Sequence, residues 1–418
     1  MKHTNYIYIL LFTSLFLASN FSYSQTPIDQ YLKLSANNNP ELKASFNRYL
    51  AAMERLPQAK ALPDPVAMFS FFTSPNETRV GATKAGLSLS QAFPWFGQLK
   101  DQEQAAALIA KARFQAFVDL RNKIFFQVKT TFNDVYVLEA AIRITQENIT
   151  LLESFKSLAN VRLEAGTGSA VDLLRVEMEL QVLQNQIKYL EDSQLPLQQH
   201  FSELLNSENK IDIEIPDTLT TVSIDDPKQL LLDSIMFQNP SLRKLDFEIG
   251  SLEQQKEVAR KMGLPSFSIG LGYTNVAKRT GVPDFSDNGK DALIFPQVGV
   301  RIPLYRKKYH AMVKEKELLQ TAITNQKTDM ENKLETSLEQ GWRDYLDAQR
   351  RVGLYQSLAS LADRSLDILL AEFTSAGKDF EEVLRMDRQL LKYELELEKA
   401  RADQNTNVAF LNYLTGKN

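Results

Sequence analysis

Residues 97–166 read GQLKDQEQAAALIAKARFQAFVDLRNKIFFQVKTTFNDVYVLEAAIRITQENITLLESFKSLANVRLEAG. No proline interrupts this stretch, and glycine stands only at its two ends. Alanine, leucine, glutamine, glutamate and lysine dominate it, and all are strong helix formers. As one helix it is roughly 100 Å long at the α-helical rise per residue, far beyond the three turns of an average globular helix. A helix of that length needs partners along its side to be stable in water. Val135, Leu138, Ile142, Ile149 and Leu152 recur at alternating three- and four-residue spacing, with Thr145 in the missing position. That spacing predicts a coiled-coil-like seam. A second proline-free stretch runs from Arg306 to Ala376, and it predicts a second helix of the same kind.

The residues before the first long helix alternate. Ala85, Leu87 and Leu89 lie on one side and Gly86, Ser88 and Ser90 on the other. Period two predicts a strand from Ala85 to Phe93 with one apolar and one small polar face. Val66 to Thr73 predicts a strand before it, with Ser74 to Thr78 as a turn. Ile28 to Lys60 reads as helix, with Asn39-Pro40 punctuating its first part and Leu56-Pro57 its end. After the long helix, Glu164 to Ser169 breaks the pattern. Ala170 to Leu205 is helical again, with a kink expected at Pro196. Ser207 to Pro227 reads as a linker, in which Ile211, Ile213 and Ile215 alternate like a short strand.

The order then starts again. Asn239-Pro240-Ser241-Leu242 echoes Asn39-Pro40-Glu41-Leu42, and a helix runs on to Met262. Phe267, Ile269, Leu271 and Tyr273 alternate with Ser268, Gly270, Gly272 and Thr274. A polar loop from Asn275 to Asp291 follows, and then Val298, Val300 and Ile302 alternate with Gln297, Gly299 and Arg301. The second long helix breaks at Ala376-Gly377-Lys378 and resumes from Phe380 to Leu414. The chain is thus read as a tandem repeat: 25–206 and 227–418 as two repeats of helix, two strands and long helical hairpin, joined by a linker at 207–226. Residues 1–24 read as a signal peptide, from Lys2, the apolar run Ile7 to Ala18, and small residues at Ser22 and Ser24.

Composition removes several function classes. The 418 residues carry a net charge of −4, so no basic surplus points to nucleic acid. With no cysteine, thiol catalysis and zinc–thiolate sites are excluded. His3, His200 and His310 are not spaced as metal ligands, and neither a nucleophile elbow nor a phosphate loop occurs. The pattern predicts no enzyme activity and no cofactor.

The fold class expected is mainly α with a small β part. Four amphipathic strands in a soluble sheet would leave open edges. A membrane β-barrel reverses the faces, apolar side to lipid and small polar side to the lumen. Four strands cannot close a barrel, for which about eight is the practical minimum. Three copies supply twelve, in keeping with the cyclic symmetry of most oligomers. Below the strands, the very long coiled-coil-like helices would pool in the same way.

The chain resembles the TolC family of outer-membrane efflux proteins. The resemblance rests on the Asn-Pro pairs at Asn39 and Asn239, on the run Leu87 to Gly97 with its counterpart Val300 to Tyr305, and on Gly166 to Leu174 with its counterpart Ala376 to Leu384. It covers essentially the whole chain after residue 24. It implies a homotrimer in the cell outer membrane, closing as a trimeric 12-stranded β-barrel continued by an α-helical tunnel reaching into the periplasm, with a periplasmic membrane-fusion adaptor and an inner-membrane pump of the RND type. It implies a passive exit duct. Leu62-Pro63-Asp64-Pro65 and Gln91 to Gly97 look more like the heavy-metal branch, which implies metal cations as cargo. Drug efflux or type I secretion is the alternative within the family. A periplasmic coiled-coil scaffold is the alternative outside it, and its four amphipathic strands would then face no lipid.

The resemblance also implies roles for residues. The two helix–helix turns, Gly166, Thr167 and Gly168 with Gly377 and Lys378, would form the periplasmic tip that meets the adaptor. Read on their own, the glycines suit left-handed turns. Asp172, Asp379, Glu381 and Glu382 would form acidic rings at the aperture, which favour cations. The plainer reading of the same acids is helix capping, as Ser169-x-x-Asp172 and Asp379-x-x-Glu382. Phe93, Pro94, Trp95 and Phe96, with Pro303 and Tyr305, lie where strand meets helix. They read either as an interfacial aromatic belt or as packing at the barrel–helix junction.

Overall fold

The computed structural model describes residues 27–207, 213–283, 285–290, 294–376 and 379–417. The expected signal peptide, 1–24, lies outside them. The element order is α1 (Pro27–Asn38), α2 (Pro40–Met53), α3 (Arg55–Lys60), β1 (Val66–Thr78), β2 (Gly81–Phe93), α4 (Gln98–Glu164) and α5 (Ala170–Leu205). It continues with α6 (Lys228–Gln238), α7 (Pro240–Met262), β3 (Ser266–Ala277), β4 (Phe295–Arg301), α8 (Arg306–Ala376) and α9 (Phe380–Thr415). Both long helices form as expected, α4 with 67 residues and α8 with 71.

The Asn-Pro echo has a physical cause. Asn39 Oδ1 accepts from Glu41 N at 3.0 Å and Leu42 N at 3.1 Å. Asn239 Oδ1 accepts from Ser241 N at 3.0 Å and Leu242 N at 3.3 Å. Each asparagine caps a new helix, and the proline after it takes the first helical position, where no N–H is needed.

Several boundaries move. The end of the first helical region at Lys60 does not, and Pro57 is accommodated before it in the first turn of α3, where a proline is tolerated. Ser74 to Thr78 is not a turn. β1 continues to Thr78, and a register shift between Phe71 and Asn76 absorbs the irregular residues around Pro75. β3 likewise extends into the expected polar loop as far as Ala277. α5 runs unbroken through Pro196.

The chain divides into two compact units, each drawing on both repeats. One takes Ala44–Asp119 and Met236–Lys333. It contains a four-stranded antiparallel sheet in the order β1-β2-β3-β4. The register aligns apolar residues across strands: Leu89 opposite Leu271, Leu87 opposite Tyr273, Ile269 opposite Val298 and Phe267 opposite Val300. The other face carries Ser88 opposite Gly272, Ser90 opposite Gly270 and Gly270 opposite Gln297. Residues that break this pattern include Met68 of β1, opposite Ser88, and Phe295 of β4, opposite Gly272, both on the small polar face. Gly270 is required by close approach, because a Cβ there would lie 2.7 Å from the Leu89 carbonyl oxygen.

The other unit takes the chain up to Lys43, Leu120–Ile235, and Leu334 onward. One apolar core joins four helices in it. α4 contributes Ile149, Leu152 and Phe155, α5 contributes Val176, Leu180, Leu183 and Ile187, α8 contributes Ala362, Leu366 and Phe373, and α9 contributes Phe380, Val383, Leu384 and Leu390. Of the expected seam, Val135, Thr145, Ile149 and Leu152 are buried, while Leu138 and Ile142 are half-buried.

The linker between the repeats forms no strand among its described residues; Ile211 lies outside them, and Ile213 and Ile215 are irregular. It is instead strapped down by side chains. Glu214 N donates to the Tyr31 hydroxyl at 3.0 Å, Leu219 N to the Tyr136 hydroxyl at 3.0 Å and Ile224 N to the Tyr345 hydroxyl at 3.1 Å. Val222 N donates to Asn405 Oδ1 at 2.8 Å, and Gln404 Nε2 donates back to the Val222 carbonyl at 2.9 Å. Tyr136 is almost wholly buried and also donates to Glu398. Burial, helped by the Glu398 carboxylate, pushes its phenol up to about 12. Tyr136→Phe strands the Leu219 N–H and a Glu398 oxygen. A loss of about 1–3 kcal/mol is expected for such an orphaned group, read as a lower thermal midpoint. An unchanged midpoint would show that the strap carries no stability.

Candidate functional site

The first helix–helix turn is built from its backbone. α4 ends at Glu164, and Gly166 adopts φ +72°, a left-handed conformation that other residues resist. The chain then doubles back, so that Thr167 N and Gly168 N both donate to the Arg162 carbonyl at 2.9 Å. A Cβ on Gly168 would lie 2.9 Å from the Arg162 Cβ, so this glycine is demanded by space and Gly166 by conformation. Ser169 caps α5, accepting from Val171 N at 3.1 Å. Of the second turn, Gly377 and Lys378 lie outside the described residues. Asp379 caps α9, accepting from Glu381 N at 3.0 Å.

The four acids expected at the aperture are all found near these turns, and each has a partner. Asp379 is the helix cap. Glu382 pairs with Arg385, and the Asp379 side chain takes the N–H of Glu381 and so caps on its own, without the reciprocal partner of a capping box. Asp172 lies 3.6 Å from Arg175. The same Arg175 reaches Glu381 at 2.7 Å and so links the start of α5 to the start of α9. Arg175 and Glu381 are both partly exposed, which limits the pair to about 1 kcal/mol or less. Its effect is on position more than on stability.

Arg162 ties the first turn to the end of α8. Its guanidinium lies 4.3 Å from the centre of the Phe373 ring and donates to the Phe373 carbonyl. Below it three aromatics meet: Phe373 and Phe380 at 4.8 Å, and Phe155 edge-on to Phe380 at 6.2 Å. Two turns along α9, Asp387 is fully buried and accepts from Asn148 Nδ2 of α4 at 2.9 Å. Burial pushes the Asp387 carboxyl up to about 6.

Sequence reasoning missed Arg162, Arg175, Asn148 and Asp387. A signal existed for the last of these. Phe380, Val383, Leu384 and Leu390 mark the buried stripe of α9, and Asp387 falls on the same three-to-four spacing.

The junction residues gather around Phe267 of β3. Trp95 stacks on it at 6.1 Å, Phe96 tilts against it at 6.4 Å, and Phe93 stands opposite it in the β2–β3 register. Phe96 and Tyr305 are strongly exposed. Pro94 and Pro303 stand just after β2 and β4 respectively, in segments without regular structure. Among the described residues no helix is long and apolar enough to cross a membrane, and no cluster of His, Cys, Asp and Glu gathers that could hold a metal ion.

No family model and no curated protein matches the sequence. Solved structures do match in fold. The outer-membrane channel OprN superposes with a TM-score of 0.76 at 17% identity, covering 94% of this chain and 90% of its own. CusC, solved in the context of transmembrane channel formation, gives 0.76 at 15% identity over 94% of this chain and 92% of its own. The Campylobacter jejuni outer-membrane channel CmeC gives 0.73 at 14% identity over 93% and 85%. Their lengths match as well as their folds, and the small antiparallel sheet joined to very long helices in this chain is the fold it shares with these outer-membrane channels.

Proposed function

We propose that the chain is the outer-membrane exit duct of a tripartite efflux assembly, with no catalytic role of its own. The observation that carries this reading is the sheet. Its apolar residues face outward unpartnered, with Leu89 54%, Ile269 60%, Leu271 59% and Val298 78% exposed. Such a face suits lipid, and the Ser, Gly and Gln of the opposite face suit a wet lumen. β1 and β4 each pair on one side only among the described residues. Closure against further copies would satisfy both edges. Apolar residues left exposed on α5 (Val171, Leu174, Met178 and Val182) and on α8 (Leu354, Leu361 and Ile368) recur at helical spacing and supply a surface for neighbouring copies. A homotrimer follows, with 25–206 and 227–418 as the two copies of a duplicated unit.

In this reading the turns at Gly166–Gly168 and Gly377–Lys378 meet a periplasmic adaptor, and an inner-membrane pump supplies the energy. Metal cations are the cargo proposed, supported by the acids grouped at the turns. Purified chain in planar bilayers is expected to form a cation-preferring channel. Asp379→Asn with Glu382→Gln should weaken that preference, and Glu381→Gln, which cuts the Arg175 link, should raise conductance. A chain that leaves membranes with salt and never conducts is a scaffold. For the cargo, a deletion strain is expected to be sensitive to metal ions and not to dyes or antibiotics; the reverse pattern makes it a drug duct.

A further inference from the structure

The core beneath the turns contains one polar pair that does not balance. Asn148 sits beside Ile149 and Leu152 on the buried stripe of α4, and Asp387 sits between Leu384 and Leu390 on that of α9. Asp387 is 0% exposed and Asn148 9%. Asn148 Nδ2 donates to Asp387 Oδ1 at 2.9 Å. Asp387 Oδ2 and Asn148 Oδ1 are both buried with no hydrogen-bond partner. An ionised carboxylate can only accept, and so can an amide oxygen. Two orphaned acceptors in an apolar core are costly if nothing lies between them. Turning the amide over exchanges one orphan for another. One proton satisfies both.

We propose that Asp387 and Asn148 form a proton-bridged acid–amide pair, in which the Asp387 carboxyl donates from Oδ2 to Asn148 Oδ1 while Asn148 Nδ2 donates to Asp387 Oδ1. The two hydrogen bonds close a ring of the kind carboxylic acids and amides form in apolar solvents, and they clip α4 to α9 two helical turns from the start of α9.

The charges around the pair favour the neutral acid. Glu179 of α5 and Glu394 of α9 face Asp387, against the single cation Arg388. Arg388 is itself shared with Glu179 at 3.9 Å. Glu394 is pushed up by burial, then by Glu147 of α4 and Asp363 of α8, against Arg143 of α4. With the Asp387 carboxyl raised from 3.8 to about 6, the folded chain holds a proton that the unfolded chain gives up. Stability from this group is therefore fully present below about pH 4 and is lost as the pH rises to about 6. Above that, a carboxylate is left buried beside an acceptor oxygen and the clip opens. The pair stands apart from the duct reading. Its consequence for the aperture, a tip held tighter in acid, rests on that reading.

Infrared spectroscopy of the detergent-solubilised full chain tests the pair. At about pH 5 the wild type should show a protonated-carboxyl C=O band that shifts in heavy water, fades with a midpoint near pH 6 and is missing from Asp387→Asn. The amide in Asp387→Asn keeps the reciprocal geometry. Exchanging the two residues, Asp387→Asn with Asn148→Asp, should restore the band. Identical carboxyl regions in wild type and Asp387→Asn at that pH would overturn the proposal. Should Asp387→Asn not fold, the exchange variant carries the test, and its failure to show the band overturns the proposal equally. A titrating band with pH-independent conductance keeps the pair and removes its link to the aperture.

Discussion

Leu271→Arg is expected to disappear from the outer-membrane fraction, whereas Gln297→Arg stays in it. The two positions lie on adjacent paired strands, and Gln297 stands opposite Gly270, the residue beside Leu271. Their side chains differ in face. Leu271 stands opposite Leu89 on the exposed apolar face, and Gln297 shares the small polar face with Gly270 and Ser268. On a lipid-facing position near the bilayer middle an arginine costs about 2–4 kcal/mol, and on a lumen-facing one it is solvated. The cost is incurred once per protomer, so a trimer meets it three times. Membrane fractionation followed by urea extraction reads the difference. Equal behaviour of the two variants would mean that the sheet does not face lipid, and the scaffold reading would take over.

Phe380→Ala is expected to be the most damaging single change in the helical unit. Phe380 is 1% exposed and lies 4.8 Å from Phe373 and 6.2 Å from Phe155, so one ring joins α4, α8 and α9. Truncating a buried phenylalanine costs about 3–5 kcal/mol, because the surroundings collapse only partly into the space left. The damage is local to the turns. Limited trypsin digestion should cut first at Arg385, one turn into α9, while the segments around Tyr136 stay protected. A wild-type cleavage pattern would show that Arg162 and the Arg175–Glu381 pair hold the turns without the aromatic cluster.

Much of the fold was legible in the sequence because proline and glycine punctuate it sharply. A stretch without either gave α4, and a stretch without proline gave α8, nearly to the residue. The strands were legible where side chains alternate, as in Phe267 to Thr274, and were misjudged where they do not. Ser74 to Thr78 has turn composition, and only the pairing with β2 across a register shift keeps it extended. The first turn was found because Gly166, with its positive φ, leaves a local mark. The fastenings of the turns were not. Arg162 with Phe373, Arg175 with Glu381 and Asn148 with Asp387 join residues some two hundred positions apart, and no local pattern marks an arginine or an asparagine as a long-range partner.

The strap across the linker bears on which sequences this segment can accept. Tyr31, Tyr136, Tyr345, Gln404 and Asn405 hold it by its peptide groups, not by its side chains. Apart from the buried Leu219 and Asp226, which pairs with Lys417 at 2.9 Å, the segment can drift in composition without losing these moorings, subject to one prohibition. Residues 214, 219, 222 and 224 must each keep an N–H, so proline is barred from those places alone. The native prolines of the stretch, Pro216 and Pro227, fall between and beyond them. Variation in the linker is thus read by the helices beneath it as a question of backbone chemistry, and five side chains outside it bear the inheritance that the linker itself does not.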